Sequence, residues 1–363
     1  MAKEVKKGKI ITAIVGGTTL VGGATAGSIA ATVETEEVEN EEKKYNNIKG
    51  FKNISGKNNF ISSISSLTVD DKGVVWATTT TNGLYKLENG EQFTKINVSG
   101  IDECGNFYSL LSLNGTFYLG ILEYMGTGFL YKSNAIKDNV IEFNKVPGRG
   151  WKRNYGFITN FINISNGNII YAAANTSKTT SYLYYTTDNW ATCSWFSNIE
   201  TLITSLAVSS NQTVFVGTKT VENKGKLYKS TSGTTFIEVP GWKENNGEVH
   251  SLLTVNDIVY IGTKTGIGQG KLFKITNDGI VHEITEWGKD AGDIGEIHSL
   301  LNIKGIIYVG TKTGVGQGKI FKSKNDNNFE LIPNWDISNG EVLNLFNINN
   351  DLYVRTKVSK QIS

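Results

Sequence analysis

GEVHSLLTVNDIVYIGTKTGIGQGKLFK, residues 247–274, is followed by GEIHSLLNIKGIIYVGTKTGVGQGKIFK, residues 295–322. The second copy starts 48 residues after the first and differs from it mainly by exchanges among apolar or small residues. One structural unit is written twice, and a fixed period of this size marks a repeat architecture. With Ser251 and Ser299 as the ruler, equivalent positions fall at Ser66, Ser109, Asn160, Ser205 and Asn344, with spacings of 43 to 51 residues. After each ruler strand comes a second period-two apolar run, as in VVWATT, TFYLGI, NIIYAAA, TVFVGT and DLYVRT. A third follows in GLYK, GFLYK, SYLYY, GKLYK, GKLFK and GKIFK, and a fourth in FTKI, IEFNKV, FIEVPGW, VHEITEW and FELIPNW. Short alternating runs between Gly and Asn turns predict four short strands per unit.

Four antiparallel strands at this period form the blade of a β-propeller. The expected fold class is all-β: a seven-bladed β-propeller of four-stranded antiparallel blades over residues 48–363. The seventh unit runs out at VSKQIS without a fourth strand, while IKGFKNI, residues 48–54, carries the fourth-strand pattern ahead of the first unit. The N-terminal strand is therefore expected to complete the last blade, which hydrogen-bonds both chain ends and removes an exposed edge. Composition agrees: 40 Gly against 3 Pro, with 15 Tyr and 16 Phe, suits many strands joined by glycine turns. The balance of 36 basic and 34 acidic residues points away from a nucleic-acid partner.

The N-terminus is a separate region. Lys3, Lys6, Lys7 and Lys9 precede an uncharged run, residues 10–33, long enough to cross a bilayer as one hydrophobic helix. Residues 1–33 are thus expected to be a membrane anchor or, with Ala24-Thr25-Ala26 as an A-x-A site, a cleaved signal. Either reading exports the chain and places the propeller on the extracellular side or in the medium. Residues 34–47, which include ETEEVENEEKK, read as a charged linker.

VVWATTTTNGLYKL, residues 74–87, resembles the repeat of two-component-regulator propellers, and the turns KSTSGTTF (229–236) and TTDNWATCSW (186–195) resemble Asp-boxes of the BNR, sialidase-like propellers. The resemblance implies an architecture over 48–363 and no particular activity.

The glycine-rich GTKTGIGQGK is not a phosphate loop, because Thr265 stands where the first Gly of GxxxxGK[ST] belongs and a strand follows in place of a helix. It reads as a turn between second and third strands. Sialidases hold a carboxylate with three arginines from different blades; here only Arg149, Arg153 and Arg355 exist, two of them in one loop. With three His in all, and His250 and His298 at equivalent repeat positions, a histidine metal site is not expected, nor is any cofactor. Cys104 and Cys193 belong to no short motif.

Loops from second to third strands and from one blade to the next emerge on one face. That face is expected to carry Lys264, Gln269, Lys312 and Gln317, with Trp242, Trp287, Trp335, Glu248, Glu296 and Glu341 from the blade connections and Trp151 from GRGWKRNYG. Aromatic rings beside amides and carboxylates suit a sugar or a peptide loop. The competing reading is that the tryptophans pack between blades and the glutamates hold turns, as recurrence between near-identical neighbours requires. The expected function is non-catalytic binding of a glycan or a host or partner protein at the cell surface. The alternatives are a sialidase- or lyase-like propeller enzyme and a self-associating surface-assembly component.

Overall fold

The computed structural model describes residues 11–15, 18–22 and 64–357, the last with breaks at 81–82, 89–91, 102–105, 123–127, 135–139, 148–155, 165–168, 176–179, 197–198, 200, 221, 289–290, 334 and 349. Among the described residues from 64 onward, seven antiparallel hairpins repeat. They pair Ile64–Val69 with Val75–Thr79, Asn106–Leu113 with Thr116–Leu122, Phe157–Ile164 with Ile169–Asn175, and Leu202–Val208 with Val214–Lys219. The last three pair Glu248–Val255 with Ile258–Lys264, Glu296–Ile303 with Ile306–Lys312, and Glu341–Ile348 with Asp351–Lys357. In the first six, a third and a fourth strand continue the sheet outward, down to two-residue fourth strands at Ser194–Trp195 and Ile237–Glu238. This is an all-β, propeller-like fold of four-stranded antiparallel sheets.

The sheets depart from a uniform repeat in three places. The fourth strands of the first two units, Gln92–Ser99 and Val140–Lys145, pair in parallel and join those units into one sheet. Glu286–Trp287 adds a parallel fifth strand beside Asn328–Leu331. The last hairpin forms a two-stranded sheet among the described residues, and residues 48–54, expected to complete it, lie outside them, as does the 34–47 linker.

Local chemistry explains the hairpins. Asn114-Gly115, Asn256-Asp257 and Lys304-Gly305 all take positive φ, the two-residue turn whose twist matches the flanking strands. The inner strands are buried on both faces by neighbouring units, whereas an outer strand such as Val281–Ile284 is largely open to solvent. The ruler residue sits where adjacent inner strands meet. The Leu110 amide donates to Ser66 Oγ and the Leu345 amide to Ser299 Oγ, both at 2.9 Å, and Ser109 Oγ donates to the Ile158 carbonyl at 2.7 Å. Opposite the ruler, the second strand needs a small residue: a Cβ on Gly262 would lie 2.4 Å from Ile297 Cγ2 of the next unit.

All seven inner strands carry a β-bulge at one equivalent position, immediately before the ruler. The bulged residues are Ser65, Tyr108, Thr159, Thr204, His250, His298 and Leu343. A bulge re-aims a side chain that the alternation of a strand would otherwise place in the sheet stack.

The expected N-terminal helix is not what the described part of that segment forms. Ile11–Val15 and Thr18–Gly22 are strands paired antiparallel, and this hairpin lies along the inner strands of several units. The reason is local: both paired stretches are rich in Ile, Val and Thr, residue types that favour strands. Among the described residues no helix is long and apolar enough to cross a membrane. Residues 23–33 lie outside the described set.

Candidate binding face and channel cavity

The two glycine loops are built alike. In the first, Thr265 N–H donates to the Gln269 carbonyl and Gln269 N–H to the Gly266 carbonyl, with Gly268 left-handed at φ 67°. In the second, Thr313, Gln317, Gly314 and Gly316 repeat the pattern, with Gly316 at φ 69°. The loops touch, since a Cβ on Gly268 would lie 2.5 Å from the Thr313 carbonyl oxygen.

Each loop is held from below by the first residue of the next inner strand. Glu296 Oε1 accepts from the Gly268 amide at 2.9 Å while its Oε2 faces His298 Nε2 at 3.2 Å and Lys264 Nζ at 3.8 Å. Glu341 accepts from the Gly316 amide at 3.1 Å and faces Lys312 at 3.5 Å. A third copy one unit earlier joins Glu248 to the Asn223 amide at 2.9 Å, to Lys219 at 3.0 Å and to His250 at 3.0 Å. Asn223 is left-handed at φ 58°, so KTVENKGK, residues 219–226, is the same loop in a weaker sequence.

These carboxylates are buried, at 1, 3 and 5% exposure for Glu248, Glu296 and Glu341. Burial pushes the Glu248 carboxyl up, but the bonds from His250, the Asn223 amide and Lys219 outweigh it and hold the pKa at about 2. For Glu296, burial is likewise outweighed by His298, the Gly268 amide and Lys264, and the pKa is again about 2. Burial pulls the His250 imidazole below its ordinary pKa, against the opposing bond to Glu248 and with added repulsion from His298.

The tryptophans are half-buried braces. Trp242 Nε1 donates to the Gly225 carbonyl and Trp335 Nε1 to the Gly318 carbonyl, both at 2.9 Å, at the exit of their loops. Trp287 Nε1 donates to the Ile284 carbonyl at 3.2 Å, and its ring meets Phe321 edge-on at 4.8 Å and Phe329 at 5.2 Å. Of the residues expected on the binding face, Gln269 and Gln317 are exposed, Lys264 and Lys312 are paired with the buried glutamates, and Trp151 lies outside the described residues.

The most exposed large apolar side chains among the described residues are the loop tips Ile267 at 83% and Val315 at 80%. The sequence analysis read this stretch only as a turn and did not single them out. Aligning KTVENKGK with the twin loops would have singled them out, since Glu222 occupies that tip in the earlier unit.

A cavity of about 360 Å³ is lined by bulged residues, among them Thr204, His250 and His298, together with Asn160, Asn344 and Arg355. The two imidazoles meet edge-to-face with centroids 4.9 Å apart. Among the described residues no group of His, Cys, Asp and Glu could hold a metal ion. The turn that resembles an Asp-box is a self-contained Asx turn: Asp188 accepts from the Thr192 amide and hydroxyl and from the Thr186 hydroxyl, which hold its pKa at about 2. Burial, with Asp188 nearby, pushes the Cys193 thiol up to about 12, and Cys104 lies outside the described residues.

Solved structures share the fold at low identity. The chain is similar to virginiamycin B lyase from Staphylococcus aureus with a TM-score of 0.56 and 16% identity, over 79% of this chain and 89% of that one. It is similar to YCF48 bound to D1 peptide with a TM-score of 0.59 and 11% identity, over 81% and 90%. For the WD40 β-propeller domain of Doa1 the TM-score is 0.53 at 12% identity, over 83% and 91%. The chain has a β-propeller fold. No protein-family model and no curated protein sequence matches it.

Proposed function

We propose that this chain is an exported, non-catalytic, seven-bladed propeller that recognises a protein surface through its twin glycine loops. The observation that carries this reading is the pair of exposed aliphatic tips, Ile267 and Val315, on two loops in contact. An apolar side chain held open to water on a braced turn has little to do for the fold, and burying each against a partner contributes about 1.5–3 kcal/mol. A protein is favoured over a glycan because the indoles that would stack on a sugar have their N–H groups bonded and their rings packed against the core. The similar structure of YCF48 bound to D1 peptide is one example of this architecture binding polypeptide.

The seven-unit count rests on the seven bulged hairpins, and closure of the ring by residues 48–54 belongs to the same proposal. Removing those residues is expected to broaden the thermal transition and promote self-association through the opened edge. Residues 1–33 are read as the export segment, and the mass of the exported protein separates a retained anchor from cleavage after Ala26. Partner class is tested by probing a printed glycan array and a protein array with the full chain. Saturable protein spots are expected; saturable binding confined to glycans would overturn the protein assignment, and turnover of a bound ligand would overturn the non-catalytic one.

A further inference from the structure

The twin loops belong to a longer row. The second strands of the last four units end on lysines in one register: Lys219 opposite Leu202, Lys264 opposite Glu248, Lys312 opposite Glu296 and Lys357 opposite Glu341. The loops that follow lie side by side in chain order, because the amides of Asn223, Gly268 and Gly316 are each taken by the first glutamate of the next unit. Three residues after each lysine stands a tip: Glu222, Ile267, Val315 and, at that position in the sequence, Lys360. Glu222, Ile267 and Val315 are exposed, and residues 358–363 lie outside the described set. The described end of the row is already basic. Lys219, Lys264 and Lys312 face Glu248, Glu296 and Glu341, whereas the unit packed on the last one through Ile64, Leu67, Phe346 and Ile348 has Ser63 at the glutamate position, and Lys357 is exposed.

Along the row the tips run acidic, apolar, apolar, basic, and that order is its own complement when reversed. A twofold axis passing between the two glycine loops sets Glu222 of one copy against the basic end of another, and Ile267 against Val315. Such a surface is what a twofold interface needs, since the same residues serve both sides. Two near-identical loops supply it directly, because each apolar tip then meets its own equivalent. The exposed Gln269 and Gln317 amides also match, each able to donate and accept across the contact. Copies laid in parallel would bring Glu onto Glu and Lys onto Lys, so the charges fix which way round the two meet.

We propose that the partner of the twin loops is a second copy of this chain, docked loop face to loop face about that twofold axis. The proposal rests on the reading of the loop tips as a protein-docking surface and names the occupant. Ile267 and Val315 form the apolar centre of the contact, and Glu222 with the Lys357 and Lys360 end forms its charged rim. A formal net charge of +2 leaves little overall repulsion between copies. A contact made by loop tips is small beside a standard interface of about 1,600 Å², so association is reversible and concentration-dependent.

The test is sedimentation equilibrium of the full chain as wild type, I267E/V315E, E222K and K357E/K360E, with unchanged melting temperatures confirming the fold of each. Wild type is expected to dimerise reversibly and I267E/V315E to stay monomeric over the same concentration range. Each charge reversal alone sets like charges at both ends of the contact and is expected to weaken the dimer about tenfold. Mixing E222K with K357E/K360E brings opposite charges together at both ends, and the mixed dimer is expected to regain about the wild-type affinity. A monomeric wild type, a dimer that survives I267E/V315E, or a mixture no tighter than its two components would overturn the proposal. A wild type that stays monomeric yet binds arrayed proteins through Ile267 and Val315 removes the second copy as occupant and leaves the docking surface standing.

Discussion

Glu248 and Glu296 show how a charge survives beneath a glycine turn. Each carboxylate has lost its water and regains the lost interactions from one loop amide, one lysine and one histidine. Their folded pKa values of about 2 lie below the ordinary 4.5, so the stability they confer is fully present above pH 4.5 and is lost as pH falls from there toward 2. A displacement of that size corresponds to on the order of 3 kcal/mol per carboxylate. Urea unfolding followed from pH 6 to pH 3 is expected to show a steep acid limb, and the E248Q/E296Q variant a flatter one. In Glu296→Gln alone, an uncharged amide replaces the acceptor of a charged network, and a loss of about 1–3 kcal/mol at pH 7 is expected from the same denaturation curves. His250→Thr keeps a residue type that Thr159 and Thr204 show the bulge accepts, but it takes the imidazole from the buried Glu248 carboxylate and is expected to shallow the acid limb.

The loop and its braces behave as one element. Gly268 is left-handed and in contact with the neighbouring loop, so Gly268→Ala combines a backbone penalty of about 1–2 kcal/mol with a clash against the Thr313 carbonyl. A lower melting temperature with both loops loosened in hydrogen exchange is the expected outcome. Trp287→Ala removes a ring packed on Phe321 and Phe329 and is expected to cost about 3–5 kcal/mol, a stability effect and not a selective loss of binding. The strands themselves were legible in the sequence, because each alternates apolar residues between Gly and Asn turns and the third and fourth runs fall where LYKS, LFKI and VHEI are strands. The bulge was not legible, since a slipped register leaves no mark on composition; only the recurrence of one position before the ruler hinted at it. For residues 10–33, length and hydropathy pointed to a helix, whereas the β-branched stretches Ile11–Val15 and Thr18–Gly22 within that segment pair as strands. On the binding face, recurrence located the loops, but a tryptophan or glutamate at a turn carries no sequence label separating a brace from a contact. Hydrogen bonds to the Gly225 and Gly318 carbonyls supply that label.

At the scale of the molecule, repetition makes the exceptions informative. Near-identical units pack by near-identical contacts, so a residue that departs from its repeat position without a packing reason is a candidate for function. One departure stands out: Ile267 with Val315, where the preceding loop carries the exposed Glu222. It offers its own control, because replacing both tips by Glu copies a residue the same loop frame already bears. The most direct measurement is equilibrium binding of the labelled full chain to partners recovered from the protein array, comparing wild type with I267E/V315E. The account predicts at least a tenfold weaker affinity for the double variant with an unchanged melting temperature; wild-type affinity in the folded double variant would contradict it.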